Sequence, residues 1–174
     1  MSWFERALPS VAAALVVGGL AACGFAPLHG RNDADNVPTE LAAIQIEPIK
    51  DRVGQMMHNR LRDALNPNGL PAKPRYYLKV TVAETIQETV VQRTAFAARA
   101  NLNLSVGYAL HDAATRAAIH SGTVTALSGY SYQLAPLGTL AGEKDARERA
   151  VADAADEIRT RLAIYLKSTA SDKQ

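Results

Sequence analysis

Between Tyr76 and Leu110 the sequence twice alternates apolar with polar residues, and a period of two is the signature of a strand with one buried face. In the first run Tyr76, Leu78, Val80 and Val82 fall on one side, and Tyr77, Lys79, Thr81 and Ala83 on the other. The pattern weakens but continues through Ile86 and Val90. That makes a strand longer than the usual roughly 3–10 residues, so a bend or bulge near Glu84 is expected. After Gln92, Arg93 and Thr94 the second run sets Ala100, Leu102, Leu104, Val106, Tyr108 and Leu110 against Asn101, Asn103, Ser105, Gly107 and Ala109. A sheet with one apolar face requires a cover, and the rest of the chain must supply it.

Two helical stretches answer that requirement. Asp51 is placed to cap a helix in which Val53, Met57, Leu61 and Leu65 recur at helical spacing, widened by Met56 and Ala64. Asn66-Pro67-Asn68-Gly69 ends it. Near the far end Val151, Ala154, Ala155, Ile158, Leu162 and Tyr165 make a second stripe, with Thr139 as its candidate cap. Glu143 with Arg147, Asp145 with Arg149 and Glu157 with Arg161 are acid-first i,i+4 pairs, which mark a solvated helix face. Before the first helix, Leu41 to Ile49 reads as a short strand with Ile44 and Ile46 inward, closed by Pro48. A further strand spans Ala117 to Leu127. Its inward face is open: Ile119, Thr123 and Leu127 favour one register, Ala118, Val124 and Ala126 the other. Ser128 to Leu137 reads as a loop. The order β-α-β-β-β-α predicts an α+β two-layer sandwich, with two helices on one face of a four-stranded sheet. If the first two strands are parallel, their crossover is right-handed.

The beginning of the chain carries different information. An apolar run from Ala7 to Leu20 follows Arg6 and is too short for the roughly 20 residues a bilayer span needs. It ends at Leu20-Ala21-Ala22, directly before Cys23, the sole cysteine. The pattern resembles a bacterial lipobox, with residues 1–22 as a cleaved signal peptide and Cys23 carrying S-diacylglycerol and N-palmitoyl groups. The competing readings are an ordinary exported protein with an incidental cysteine, and a membrane-anchor helix. Residues 23–40 hold Pro27, Gly30, Asn32, Asp33, Asp35, Asn36 and Pro38 and read as a flexible tether. Residues 41–167 are then a single domain and 168–174 a polar tail. The leader removes Glu5 and Arg6, so the net charge of +2 is unchanged. So small a charge does not suggest a nucleic-acid partner. A domain whose one cysteine is acylated holds itself together without an internal disulfide.

Cys23-Gly24-Phe25, followed by Pro27-Leu28 and Gly30, resembles the mature N-terminus of the lipopolysaccharide-assembly lipoprotein family, LptE. Gly24 rather than aspartate after the cysteine suggests the outer membrane. The element order, with its charged and alanine-rich last helix, is the one this resemblance implies. The resemblance further implies an outer-membrane lipoprotein, anchored by lipid on the periplasmic side, that assists lipopolysaccharide transport and insertion. It would do so as plug and assembly partner of the LptD β-barrel. The alternative is an accessory binding lipoprotein of another periplasmic lipid-transport or envelope complex.

No constellation for catalysis is apparent. His29, His58, His111 and His120 lack partners at metal-ligand spacing, and no nucleophile elbow or phosphate loop occurs, so no enzyme, cofactor or metal is expected. Two features go beyond packing. The outward sheet face (Thr81, Thr85, Asn101, Asn103, Ser105) is small and uncharged, as suits contact with another protein's wall or a merely solvated surface. At the hairpin end Arg93 and Arg99 flank Phe96, a pattern suited to a phosphorylated lipid head group or to an ordinary exposed loop.

Overall fold

The computed structural model describes residues 37–89, 98–132 and 136–171. In chain order these form helix α1 (Val37–Ala42), strand β1 (Ile44–Ile46), helix α2 (Asp51–Leu65), strands β2 (Tyr76–Thr89), β3 (Ala98–Asp112) and β4 (Ala118–Tyr132), and helix α3 (Pro136–Ser171). The strands make one sheet in the order β1-β2-β3-β4, with β1 parallel to β2 and the other pairs antiparallel. Helices α2 and α3 pack on the sheet and on each other, α2 toward β1 and β2, α3 toward β3 and β4. This is the expected α+β sandwich.

Alternation on β3 survives intact. Ala100, Leu102, Leu104, Val106, Tyr108 and Leu110 are all buried, while every odd-numbered residue from Asn101 to Ala109 keeps some exposure. The ladder to β2 runs unbroken from Tyr76 opposite Asp112 to Thr89 opposite Arg99. The bulge expected near Glu84 is therefore not there, because β3 matches β2 residue for residue. The irregularity lies instead between β3 and β4 at Leu110/His111, where Leu110 pairs with His120 and His111 with Ala118. Ile119 is the extra residue.

The β3 ladder also decides the face of β4. Val106 lies opposite Val124 and Leu104 opposite Ala126, so Val124, Ala126 and Ser128 are buried and Leu127 points out. Ser128 to Tyr132 continues the strand rather than forming a loop, since it pairs with Leu102 to Ala98. Helix α3 begins at Pro136, whose fixed φ and missing N–H suit a first helical position. Thr139 consequently lies inside the helix instead of capping it. The expected stripe is buried except for half-buried Tyr165, and Ala146 and Ala150 extend it toward the N-terminus.

Helix α2 buries Met57, Leu61 and Leu65 as expected. Its start differs. Lys50 holds the cap position without a side-chain hydrogen bond, and Asp51 is the first helical residue, at φ 67°. Ile49 folds back onto Gly54 so closely that a Cβ there would lie 2.6 Å from Ile49 Cγ2. The strand expected from Leu41 to Ile49 is confined to Ile44–Ile46, because Val37–Ala42 is helical and buries Val37 and Leu41. Asn66, itself buried, joins these parts: its Nδ2 donates to Ala42 O at 3.0 Å and Ile44 O at 3.1 Å.

Candidate functional site

The face of the sheet away from the helices is built from odd-numbered residues on three strands. Cross-strand rows set Thr81, Gly107 and Thr123 side by side, then Ala83, Ser105 and Thr125, then Thr85, Asn103 and Leu127. From Thr81 to Gln87, from Asn101 to Ala109 and from Ser121 to Ser131 these outward positions carry no charged residue. Charge returns only toward the ends, with Lys79 near one and Arg99 at the other. Leu127, 66% exposed, stands in the middle of this neutral field. Beside it, Asn103 Oδ1 is buried without a hydrogen-bond partner among the described residues. A surface of small side chains lets another backbone approach closely, and an exposed large apolar group gives it something to bury.

The helix side follows other chemistry. Arg147 on α3 reaches the sheet and grips Glu84 through Nε and Nη2 at 2.7 and 2.8 Å, while Nη2 also donates to Glu143 at 2.6 Å. The side chains of Arg147 and Glu84 are only 20% and 18% exposed. The Glu84 hydrogen bond, joined by that of Glu143, raises the Arg147 pKa well above its ordinary value and outweighs desolvation. Glu143–Arg147 is thus no solvated surface pair, although Asp145–Arg149 and Glu157–Arg161 are exposed as expected. Two more α3 arginines reach β4: Arg161 donates to Thr123 O at 3.1 Å and Arg149 to Gly129 O at 3.2 Å. Farther along, His120 stacks on Tyr165 with centroids 4.5 Å apart and meets Tyr108 Oη at 3.3 Å. Burial and then Glu40 push the Tyr76 hydroxyl pKa up, where Arg75 bonds Glu40 at 2.5 Å.

Of the residues singled out from sequence, Cys23, Arg93 and Phe96 lie outside the described residues. Arg99 is described: it is exposed, on the open face, between Thr89 and Ser131 at the hairpin end of the sheet. The open face therefore leads from Asn101 directly to Arg99. Leu127 was not assigned to this surface by sequence, and its only signal was an ambiguous alternation. Among the described residues no group of three His, Cys, Asp or Glu side chains is placed to hold a metal ion. No described helix is long and apolar enough to cross a membrane.

This architecture has recognisable relatives. The sequence pattern of the LptE family, described as lipopolysaccharide-assembly, matches residues 41–162. The chain belongs to the LptE family. That match spans everything from the end of α1 into the last third of α3, so it covers the sheet, all of α2 and most of α3. Among solved structures, a lipoprotein from Caulobacter crescentus CB15 is similar at 26% identity and a TM-score of 0.64, covering 77% of this chain and 97% of that one. A minor lipoprotein from Acinetobacter baumannii is similar at 18% identity and a TM-score of 0.51, with 70% and 90% covered. A homolog of a neuraminyllactose-binding hemagglutinin from Helicobacter pylori reaches 12% identity and a TM-score of 0.54, with 86% and 97% covered. The last two share the fold. None of the curated proteins matches the chain. LptE membership makes this a lipoprotein of lipopolysaccharide assembly.

Proposed function

We propose that this LptE-family chain is a non-enzymatic outer-membrane lipoprotein that assists lipopolysaccharide transport to the outer leaflet as plug and assembly partner of an LptD-type β-barrel. The observation that carries the reading is the family match over residues 41–162, joined to a neutral sheet face that no described helix covers. Cys23, acylated, holds the chain at the periplasmic side. Several acyl chains anchor firmly where one is marginal, each buried CH₂ adding about 0.8 kcal/mol. The folded body then fills the barrel lumen with its neutral face toward the wall. The hairpin end, with Arg93, Phe96 and Arg99, meets lipid A phosphates through charge-assisted hydrogen bonds. No bond is made or broken; the action is tethering, filling and contact.

Purification from detergent-solubilised membranes tests this directly. The chain with Cys23 intact is expected to bring a large β-barrel with it, and Cys23→Ala is expected to leave membranes on a carbonate wash when no barrel is present. Absence of any barrel rejects the plug reading, and firm membrane retention of the alanine variant rejects the anchor. Arg93→Glu with Arg99→Glu is expected to weaken lipopolysaccharide binding most at low ionic strength, where exposed charges are least screened. Unchanged binding removes the hairpin end as the contact.

A further inference from the structure

We propose that the edge of β2 from Val80 to Ile86, unpaired among the described residues, receives an extended segment of the barrel partner as an added strand. The inference rests on the partner reading above and adds where and how the two chains join. Strand β1 pairs only with Tyr76 to Leu78 before Pro48 leads the chain away. Leu78 O accepts the Glu47 N–H at 2.9 Å, so the main-chain groups of Leu78 face β1. Residues two apart in a strand point their main-chain groups the same way. The N–H and C=O groups of Val80, Val82, Glu84 and Ile86 therefore face the lane that β1 has left. No described residue pairs with them there. The open stretch is about 20 Å long at roughly 3.3 Å per residue.

The opposite edge of the sheet is treated differently. On β4 the carbonyls of Thr123 and Gly129 are taken by Arg161 and Arg149, so α3 guards that edge with two cations. Charged side chains, prolines and bulges are the usual means of blocking an edge. Between Val80 and Ile86 there is no proline or lysine, and the ladder holds no bulge. The one charge, Glu84, is held by Arg147 and drawn toward the helix.

Apolar cover thins along the same stretch. Leu78 and Val80 are buried, Val82 is half-buried and Ile86 is 38% exposed, although Leu102 opposite Ile86 is fully buried. An added strand would satisfy the alternating donors and acceptors and cover Val82 and Ile86 at once. A lipid offers neither the alternation nor the donors. A second copy joined edge to edge would bring two net-negative Glu84–Arg147–Glu143 clusters together, which disfavours it.

The test uses the full chain, Cys23 intact, co-expressed with its barrel and purified in detergent. Val82→Pro removes an N–H that faces this lane and leaves the β2–β3 ladder whole. Ile86→Lys places a charge on the edge at a side chain already exposed. Each is expected to lower the barrel recovered per chain by about tenfold while the melting transition of the chain is retained. Should Val82→Pro fail to fold, Ile86→Lys decides. Barrel recovery equal to wild type with a folded Ile86→Lys variant overturns the added strand and leaves the partner reading standing. A wild-type chain that retains no barrel overturns both. Crosslinking of β2 to a second copy of this chain instead of to the barrel also overturns it.

Discussion

Leu104 and Asn103 are neighbours on β3, yet they belong to two surfaces with opposite requirements. Leu104 lies with Leu102 and Val106 in a fully buried row on the strand face that packs against α3. Asn103 lies in a row with Thr85 and Leu127 on the face away from the described helices, and its Oδ1 has no partner among the described residues. Stability is concentrated on the first face. The second spends an amide and a leucine on nothing within the described chain. Substitution separates the two: the covered face should answer in unfolding free energy and the open face in association.

The largest contrast is on β3 itself. Leu104→Ala is expected to cost about 2–5 kcal/mol, since it removes buried methyl groups and leaves a cavity. Asn103→Ala is expected to change stability by less than about 1 kcal/mol, because an amide oxygen without a partner contributes no net hydrogen bond. Urea unfolding of both variants checks this, and equal losses would break the division into faces. Next in size is Arg147→Ala, at about 1.5–3 kcal/mol, because it strands a half-buried Glu84 carboxylate. Pairing that variant with Glu84→Gln is expected to recover part of the loss in a double-mutant cycle.

Leu127→Ser sharpens the comparison from the open side. It is expected to leave stability within about 0.5 kcal/mol of wild type, as for most surface changes. Barrel recovery from membranes should nevertheless fall, if the neutral face meets the wall. Smallest of all is the effect at Asp112, in the turn where β3 passes to β4. Its Oδ1 accepts the Thr115 N–H and hydroxyl and the Ala114 N–H, which lowers its pKa below the ordinary carboxylate value. A lowered folded-state pKa stabilises above the unfolded value, about 3.9, and the gain is lost as pH falls through the folded one. Asp112→Asn is therefore expected to flatten the acid limb of a urea-midpoint profile slightly, by lowering the values above it by a small constant amount, and to leave the slope above neutrality unchanged.

The way the two faces were legible in sequence differs in the same sense. Period-two spacing gave β2 and β3 and their inward residues, because a strand buried on one side leaves that pattern wherever its apolar residues are large. The ends of elements were harder. Ser128 to Tyr132 has mainly small and aromatic residues without contrast, so only pairing with Ala98 to Leu102 shows it as strand. Asp51 looked like a cap, but the close approach of Ile49 to Gly54 accompanies a different start to α2. Of the candidate lipopolysaccharide contact, Arg99 is the described member, and its place on the open face follows from the parity already seen in the sequence.

Local chemistry thus determined by itself the strand–helix order from β1 onward, the buried rows of β2 and β3 and the apolar stripes of α2 and α3. It also determined the exposed acid-first pairs Asp145–Arg149 and Glu157–Arg161. Each is set by residues within a few positions of one another, at distances a sequence displays. Tertiary structure alone decided the face of β4, the bulge at Ile119 and the crossing of Arg147 to Glu84. The arginines that reach β4 and the lane beside β2 that no described residue fills belong with these. They depend on which strand lies next to which and on how close a helix packs. A one-residue slip in β4 would exchange Leu127 for Ala126 in the core, and only the ladder with β3 forbids it.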